Sequence, residues 1–282
     1  MNALFVKKGA VMPVKKKKRR KTKKKIKQLK KFDIKKFIKK NTVPIIAVVV
    51  ALAVLIVCTA IGSSGRKLPN PLPNLNKDVA FGVDVSSYNE DIDWQSLKDE
   101  VDFVIVRAGY TGYAKGNICL DDRLYDNLSG ANDAGIPVGV YYYTQATTVK
   151  EAKEEARFVL HHIKRYDISL PVFIDYEYAQ QNGEFVGRLY DASLSKDAAA
   201  DIINAFCKVI EDAGYQSGVY ASSSTYTTEI KTESILKSSY IWVADYNDKV
   251  TYKGDWDVWQ YTEQGELNSI GSRFVDMDYW YL

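Results

Sequence analysis

Two carboxylates, Asp175 and Glu177, stand two residues apart at the end of the segment P-V-F-I-D-Y-E-Y, Pro171–Tyr178. The apolar run Pro171–Ile174 reads as a buried strand. On a strand, side chains at i and i+2 share a face, with α-carbons about 6.5 Å apart. Two acids held that close beside apolar residues repel each other and are partly desolvated, which raises the pKa of at least one. This is how a general acid is prepared next to a charged partner. A lone D-x-E is more often a solvated strand end, so the chemistry depends on what the surrounding elements bring to the same place.

Strands and helices alternate around this segment. Strands are predicted at Val79–Val83, Phe103–Ala108, Val138–Tyr143, Pro171–Tyr178, Ser217–Ala221, Ile241–Asp245, Trp256–Tyr261 and Phe274–Tyr279. Helices are predicted over about 93–100, 121–134, 149–166 and 195–213, with Gly135 and Gly214 as stops. Eight strands, the first five followed by helices and the last three nearly hairpin-like, predict a closed α/β barrel with an irregular final third. In such a barrel the active residues lie where strands end. Those ends supply Asp84, Arg107, Tyr143, Asp175 with Glu177, Asp245, Gln260 with Tyr261, and Asp276. An acidic, aromatic-lined mouth suits a carbohydrate, because rings stack on sugar C–H faces and carboxylates handle the glycosidic oxygen. No Gly-rich phosphate loop opens a helix, so no nucleotide cofactor is indicated. The two histidines, His161 and His162, are adjacent on a helical stretch, which argues against a His-rich metal site and a Ser-His-Asp triad. No cofactor and no metal are expected. Cys119 and Cys207 are read as free, half-buried thiols rather than a disulfide framework.

The N-terminal part is of another kind. Residues 1–42 hold 19 Lys or Arg and one acid, Asp33, for a net charge of +18. The whole chain carries +4, which leaves −14 on residues 43–282. A basic block can bind nucleic acid, but Val43–Ile61 follows it, a run of 19 residues without a charge. As a helix it spans about 28 Å, close to the hydrocarbon thickness of a bilayer. It is longer than a secretory h-region, and Val57 spoils the faint lipoprotein box at Leu55–Cys58. An uncleaved single transmembrane helix is expected, with a cytoplasmic N-terminus, an extracellular C-terminal domain and the basic arm against anionic lipid. The division is then a basic cytoplasmic segment 1–42, a transmembrane helix 43–62, a linker 63–77 and a barrel 78–282, in the cell membrane. Membrane lipid is an expected partner, and nucleic acid is not.

Five stretches together resemble the glycoside hydrolase family 25 muramidases, the Chalaropsis-type lysozymes. They are F-G-V-D-V-S-S-Y-N at Phe81–Asn89, A-G-I-P-V-G-V-Y-Y-Y at Ala134–Tyr143, F-I-D-Y-E-Y, W-Q-Y-T at Trp259–Thr262 and F-V-D-M-D-Y-W at Phe274–Trp280. They occur in order along residues 79–282. The resemblance implies a modified (β/α)5(β)3 TIM-like barrel and cleavage of the β-1,4 bond between N-acetylmuramic acid and N-acetylglucosamine in peptidoglycan glycan strands. It implies Glu177 as the general acid and Asp175 as its partner, steadying the transition state or orienting the substrate's acetamido group. It places Asp84 and Asp276 in the acidic cleft and Tyr143 against sugar, and it favours retention with acetamido participation. Two other readings stand beside it. One is a non-catalytic glycan-binding or scaffold protein on the same barrel. The other is a hydrolase of a different N-acetylated polymer such as chitin.

Overall fold

Strand residues in this chain alternate between two environments, and the alternation decides which face closes around an interior. The structure, a computed structural model, describes residues 68–282. The basic arm, the apolar run 43–61 and the first part of the expected linker lie outside these residues. Among the described residues no helix is long and apolar enough to cross a membrane.

In chain order the strands are β1 (Val79–Val85), β2 (Phe103–Thr111), β3 (Ile118–Leu120), β4 (Val138–Tyr143), β5 (Val172–Asp175), β6 (Ala179–Gln181), β7 (Glu184–Val186), β8 (Ser217–Ser222), β9 (Tyr240–Ala244), β10 (Val258–Gly265) and β11 (Val275–Tyr281). Eight of them close a barrel in the order β1-β2-β4-β5-β8-β9-β10-β11, with β11 pairing back onto β1. Neighbours are parallel from β1 through β10, and β11 runs antiparallel to both strands beside it. The expected hairpin-like ending is therefore corrected. Of the last three strands, β10 and β11 pair antiparallel, while β9 and β10 are parallel and joined by the helix-free stretch 245–257. β3 pairs with the end of β2, and β6–β7 is a hairpin that follows Glu177 directly.

The helices are α1 (Trp94–Leu97), α2 (Leu124–Ala134), α3 (Val149–Ile163), α4 (Arg188–Asp191), α5 (Lys196–Asp212) and α6 (Ser223–Thr228). At least one follows each of β1, β2, β4, β5 and β8, which is the (β/α)5(β)3 order. Their sequences explain them. The Thr148 side chain accepts from the Glu151 amide at the start of α3, and Ala152, Ala156, Val159 and Ile163 bury one stripe against the barrel. Gly135, at φ 76°, ends α2 in the left-handed conformation that glycine adopts without steric cost.

The inward residues of the strands form an aromatic interior. Phe103, Phe173, Trp242 and Trp280 are fully buried there, and their rings meet edge to face, Phe103–Trp280 at 5.4 Å and Phe173–Trp242 at 5.2 Å. Glycine makes room for them: a Cβ on Gly218 would lie 2.2 Å from the Phe173 ring. The floor comes from an unexpected source. Leu72, 6% exposed, joins the interior cluster, and the Tyr240 hydroxyl donates to the Pro69 carbonyl at 2.6 Å. The second half of the expected linker 63–77 is thus barrel floor rather than free tether.

Candidate active site

The parity that sends Ala80, Phe103, Phe173, Val258 and Trp280 inward continues up each strand and ends in polar groups. On β1 it reaches Asp84, on β2 Arg107, on β4 Tyr141 and Tyr143, and on β5 Asp175, with Glu177 two residues beyond. On β10 it reaches Gln260 and on β11 Asp278 and Asp276. Asp84, Asp175 and Asp278 are 4%, 4% and 0% exposed, while Glu177 is only half-buried. A small cavity of about 80 Å³ lies among Asp84, Tyr141, Asp175, Glu177, Tyr220, Trp242, Gln260 and Asp276. A cleft of about 820 Å³ shares Tyr141, Asp175, Glu177 and Asp276 with it, and has Tyr88, Tyr110, Tyr113, Tyr143 and Phe274 in its walls.

Hydrogen bonds fix the deeper acids. Gln260 donates through Nε2 to Asp84 Oδ2 at 2.7 Å, and its Oε1 accepts from Tyr220 at 2.8 Å and Tyr246 at 2.9 Å. Trp242 Nε1 donates to Asp278 Oδ1 at 2.8 Å, and the Asp278 carboxyl also lies within hydrogen-bonding range of Asp84. Among the described residues, no N–H or O–H group reaches Asp278 Oδ2. Two buried carboxyls in that position resist ionising together.

Burial and mutual repulsion govern the titration of the cluster. Burial raises Asp84 well above the ordinary range, helped by Asp276 and Asp278. Burial raises Asp278 in the same way. Asp175 is raised by burial and then by Glu177, with Arg107 pulling the other way. Glu177 is pushed up to about 7 by burial, then by Asp276 and Glu263, and no hydrogen bond offsets this. Asp276 is pushed up to about 6 by burial and Glu263. A carboxyl that keeps its proton near neutral pH, with no protein partner and a cleft in front of it, can donate that proton to a bound oxygen. Asp175 Oδ1, buried and without a partner among the described residues, faces the same space, and in its ionised form it can meet a developing positive charge.

The remaining expected residues divide. Arg107 lines the cleft with its charge already engaged: Nε donates to Asp121 at 2.7 Å, NH2 donates to Ser87 at 3.1 Å, and the guanidinium lies 4.7 Å from the Tyr88 ring centroid. Tyr143 is in the cleft wall and Gln260 is the Asp84 clamp. Two expected substrate contacts lie elsewhere. Asp245 follows the inward Ala244 and so points out of the barrel. It binds the following loop through Ser223 at 2.5 Å, the Thr251 amide and hydroxyl each at 2.6 Å, and Asn247 at 2.5 Å. These donors hold Asp245 at about 2 despite burial. Tyr261 is one residue from the inward Gln260, so it too turns outward, stacking on Tyr279 at 4.6 Å. Sequence reasoning passed over Asp278, although the i, i+2 rule applied to Asp175 and Glu177 puts Asp276 and Asp278 on one face. Tyr141 and Tyr220 are found by the same parity. Tyr246 lies in the loop after β9, and Glu263 lies in β10 among register shifts that break the strand's parity, so neither carries such a signal.

Residues 83–270 match the family described as glycosyl hydrolases family 25, which is more than half of the chain. The autolytic lysozyme of Clostridium acetobutylicum is 24% identical over 199 residues, covering 70% of this chain and 54% of that protein. The chain thus spans about half the length of that relative. Among solved structures, the modular autolysin LytC of Streptococcus pneumoniae, in complex with a synthetic peptidoglycan ligand, is 32% identical with a TM-score of 0.60, covering 72% of this chain and 47% of that one. A family 25 glycosyl hydrolase of Bacillus anthracis shares the fold at a TM-score of 0.59 and 23% identity, covering 72% of this chain and 88% of that one. With a matched stretch that runs through seven of the eight barrel strands and takes in Asp84, Asp175 and Glu177, the chain belongs to glycosyl hydrolase family 25.

Proposed function

We propose that this chain is a muramidase that hydrolyses the β-1,4 bond from N-acetylmuramic acid to N-acetylglucosamine in peptidoglycan. The observation that carries the reading is Glu177: a carboxyl with no protein hydrogen bond, held up to about 7 by burial and by Asp276 and Glu263 at the junction of cavity and cleft. Glu177 gives its proton to the leaving O4 as the C1–O4 bond breaks. The substrate's acetamido oxygen closes on C1, and Asp175, in its ionised form, steadies the positive charge that results. Water then opens this intermediate with retention and returns a proton to Glu177. Family membership and the likeness to an autolysin solved with a peptidoglycan ligand support the substrate class. Digests of purified peptidoglycan and of chitin oligomers, read by mass spectrometry, test the reading. Muropeptide fragments from the first and intact oligomers from the second are expected. Cleavage of chitin alone, or of neither, overturns it.

The same proposal places the enzyme outside the cell, tethered by residues 43–61 with the basic arm inside. The support is the 19-residue uncharged run beside a segment of net charge +18. An exported part, residues 63–282, of net charge −14 gains little by searching an anionic wall from solution, and a tether supplies effective concentration instead. The full chain should pellet with membranes after alkaline extraction, and its release would count against the anchor.

A further inference from the structure

A buried acid on the outer side of the barrel takes no part in the proposed chemistry. Glu155, in the middle of α3, is 1% exposed and faces the ends of β2 and β4. Its Oε1 accepts from the Thr111 hydroxyl at 2.6 Å and its Oε2 from the Thr144 hydroxyl at 2.5 Å. Thr111 spends its only hydrogen on Glu155, so the Tyr142 hydroxyl, 2.8 Å away, donates to Thr111. The backbone N–H of Gln145 also faces the Glu155 carboxyl. This brace pins the corner Tyr143–Thr144–Gln145, where the chain leaves β4.

The corner in turn holds the catalytic strand at two points. The Thr144 amide donates to the Asp175 carbonyl at 3.0 Å, and Gln145 Nε2 donates to the Glu177 carbonyl at 3.2 Å. Gln145 is fully buried and its own Oε1 has no partner. A buried amide that leaves its oxygen unsatisfied costs stability. What the structure obtains for that cost is one bond, to the backbone of Glu177. That residue stands beyond the last ladder position of β5, where strand pairing no longer orients it.

We infer that Gln145, steadied by the Glu155–Thr144 brace, is a positioning residue that fixes the Glu177 backbone and with it the direction of proton delivery. The inference rests on Glu177 being the general acid. Misplacing a reacting group by about 1 Å costs up to about 100-fold in rate. Gln145→Met, which keeps the length and loses the donor, and Gln145→Ala, which also loses the volume, should therefore lower kcat on peptidoglycan by about 10- to 100-fold. KM should stay within about twofold, because ground-state binding is untouched.

The decisive readout is a substrate whose leaving group departs without protonation. On the dinitrophenyl glycoside of the muramic-acid-terminated disaccharide, both Gln145 variants should release dinitrophenolate in the first turnover at close to the wild-type rate, since that step needs no proton from Glu177. Glu177→Gln is measured alongside in the full-length chain. A purely structural role for Gln145 predicts equal losses on both substrates and overturns the inference. If Glu177→Gln shows the leaving-group dependence and the Gln145 variants do not, positioning fails and the acid assignment stands. If Glu177→Gln slows first-turnover dinitrophenolate release as much as it slows turnover of peptidoglycan, the acid assignment itself fails. Thermal melts of the variants show whether either has unfolded, and the folded one is read.

Discussion

Glu177→Gln is expected to lower the turnover of peptidoglycan by about 10²- to 10⁴-fold, the range that general acid catalysis contributes. The substitution keeps the size and the hydrogen-bonding reach of the side chain and removes only the transferable proton. KM should change little, since glutamine fills the same place in the cleft. The pH profile carries the more specific signature. Glu177 must be protonated to act, and burial together with Asp276 and Glu263 holds it at about 7. Wild-type activity should therefore fall as pH rises through about 7, and the residual activity of Glu177→Gln should lack that fall. Release of reducing ends across a pH series measures both. A variant within threefold of wild type would remove Glu177 from the chemistry.

The second large effect is on stability, and its sign follows from the same cluster. Asp84, Asp175 and Asp278 are raised by burial, as are Asp276 at about 6 and Glu177 and Glu155 at about 7. In the unfolded chain these groups titrate near about 4. Between about pH 4 and 7 the folded state therefore holds protons that the unfolded state has lost, so stability decreases as pH rises across that window. Each proton of difference is worth about 1.4 kcal/mol per pH unit. Asp245 works in the opposite direction. Held at about 2, it contributes stability that is present above about pH 4 and lost as pH falls through 2. Thermal melts should thus show the highest Tm near about pH 4 to 5 and a decline toward pH 8.

Asp278→Asn tests the origin of that decline. Asparagine keeps an oxygen for Trp242 Nε1 and offers Asp84 an N–H at every pH, where the native pair sets two buried carboxyls against each other. Asp84 would then have two donors, that amide and Gln260 Nε2. A gain of about 1–3 kcal/mol at pH 8 is expected from removing one buried acid from the cluster. For a domain of this size that raises Tm by about 2–4 °C per kcal/mol. At pH 4.5 the gain should vanish. An Asp278→Asn protein less stable than wild type at pH 8 would show that the cluster is not under like-charge strain.

How much of this could be read from the residues depends on parity. The barrel and its (β/α)5(β)3 order were legible because apolar runs ending in acids alternate with capped amphipathic helices. Within a strand, period two decides which residue reaches the mouth. It carries Asp84, Arg107, Tyr143, Asp175, Gln260 and Asp276 inward, each an even number of residues from a buried ring or apolar side chain below it. The same rule rejects Asp245, one residue past the inward Ala244, and Tyr261, one past Gln260, and it admits Asp278. Those misses came from treating a strand end as one place rather than two faces. Gln145 and Tyr246 lie in loops whose paths depend on tertiary contacts, and Glu263 lies in β10 where register shifts break the period of two, so no local pattern marks them. Leu72 was hidden for another reason: a Pro- and Asn-rich stretch has the composition of a tether, and only the open floor of the barrel gives its leucine somewhere to go.

The central claim is that this acidic barrel mouth cuts on the reducing side of N-acetylmuramic acid. Digestion of purified peptidoglycan by the full chain, followed by borohydride reduction, acid hydrolysis and sugar analysis, tests it most directly. The account predicts muramitol as the new reduced end, formed by the wild type and nearly absent with Glu177→Gln. Glucosaminitol in its place, or muramitol formed equally by both proteins, would contradict it.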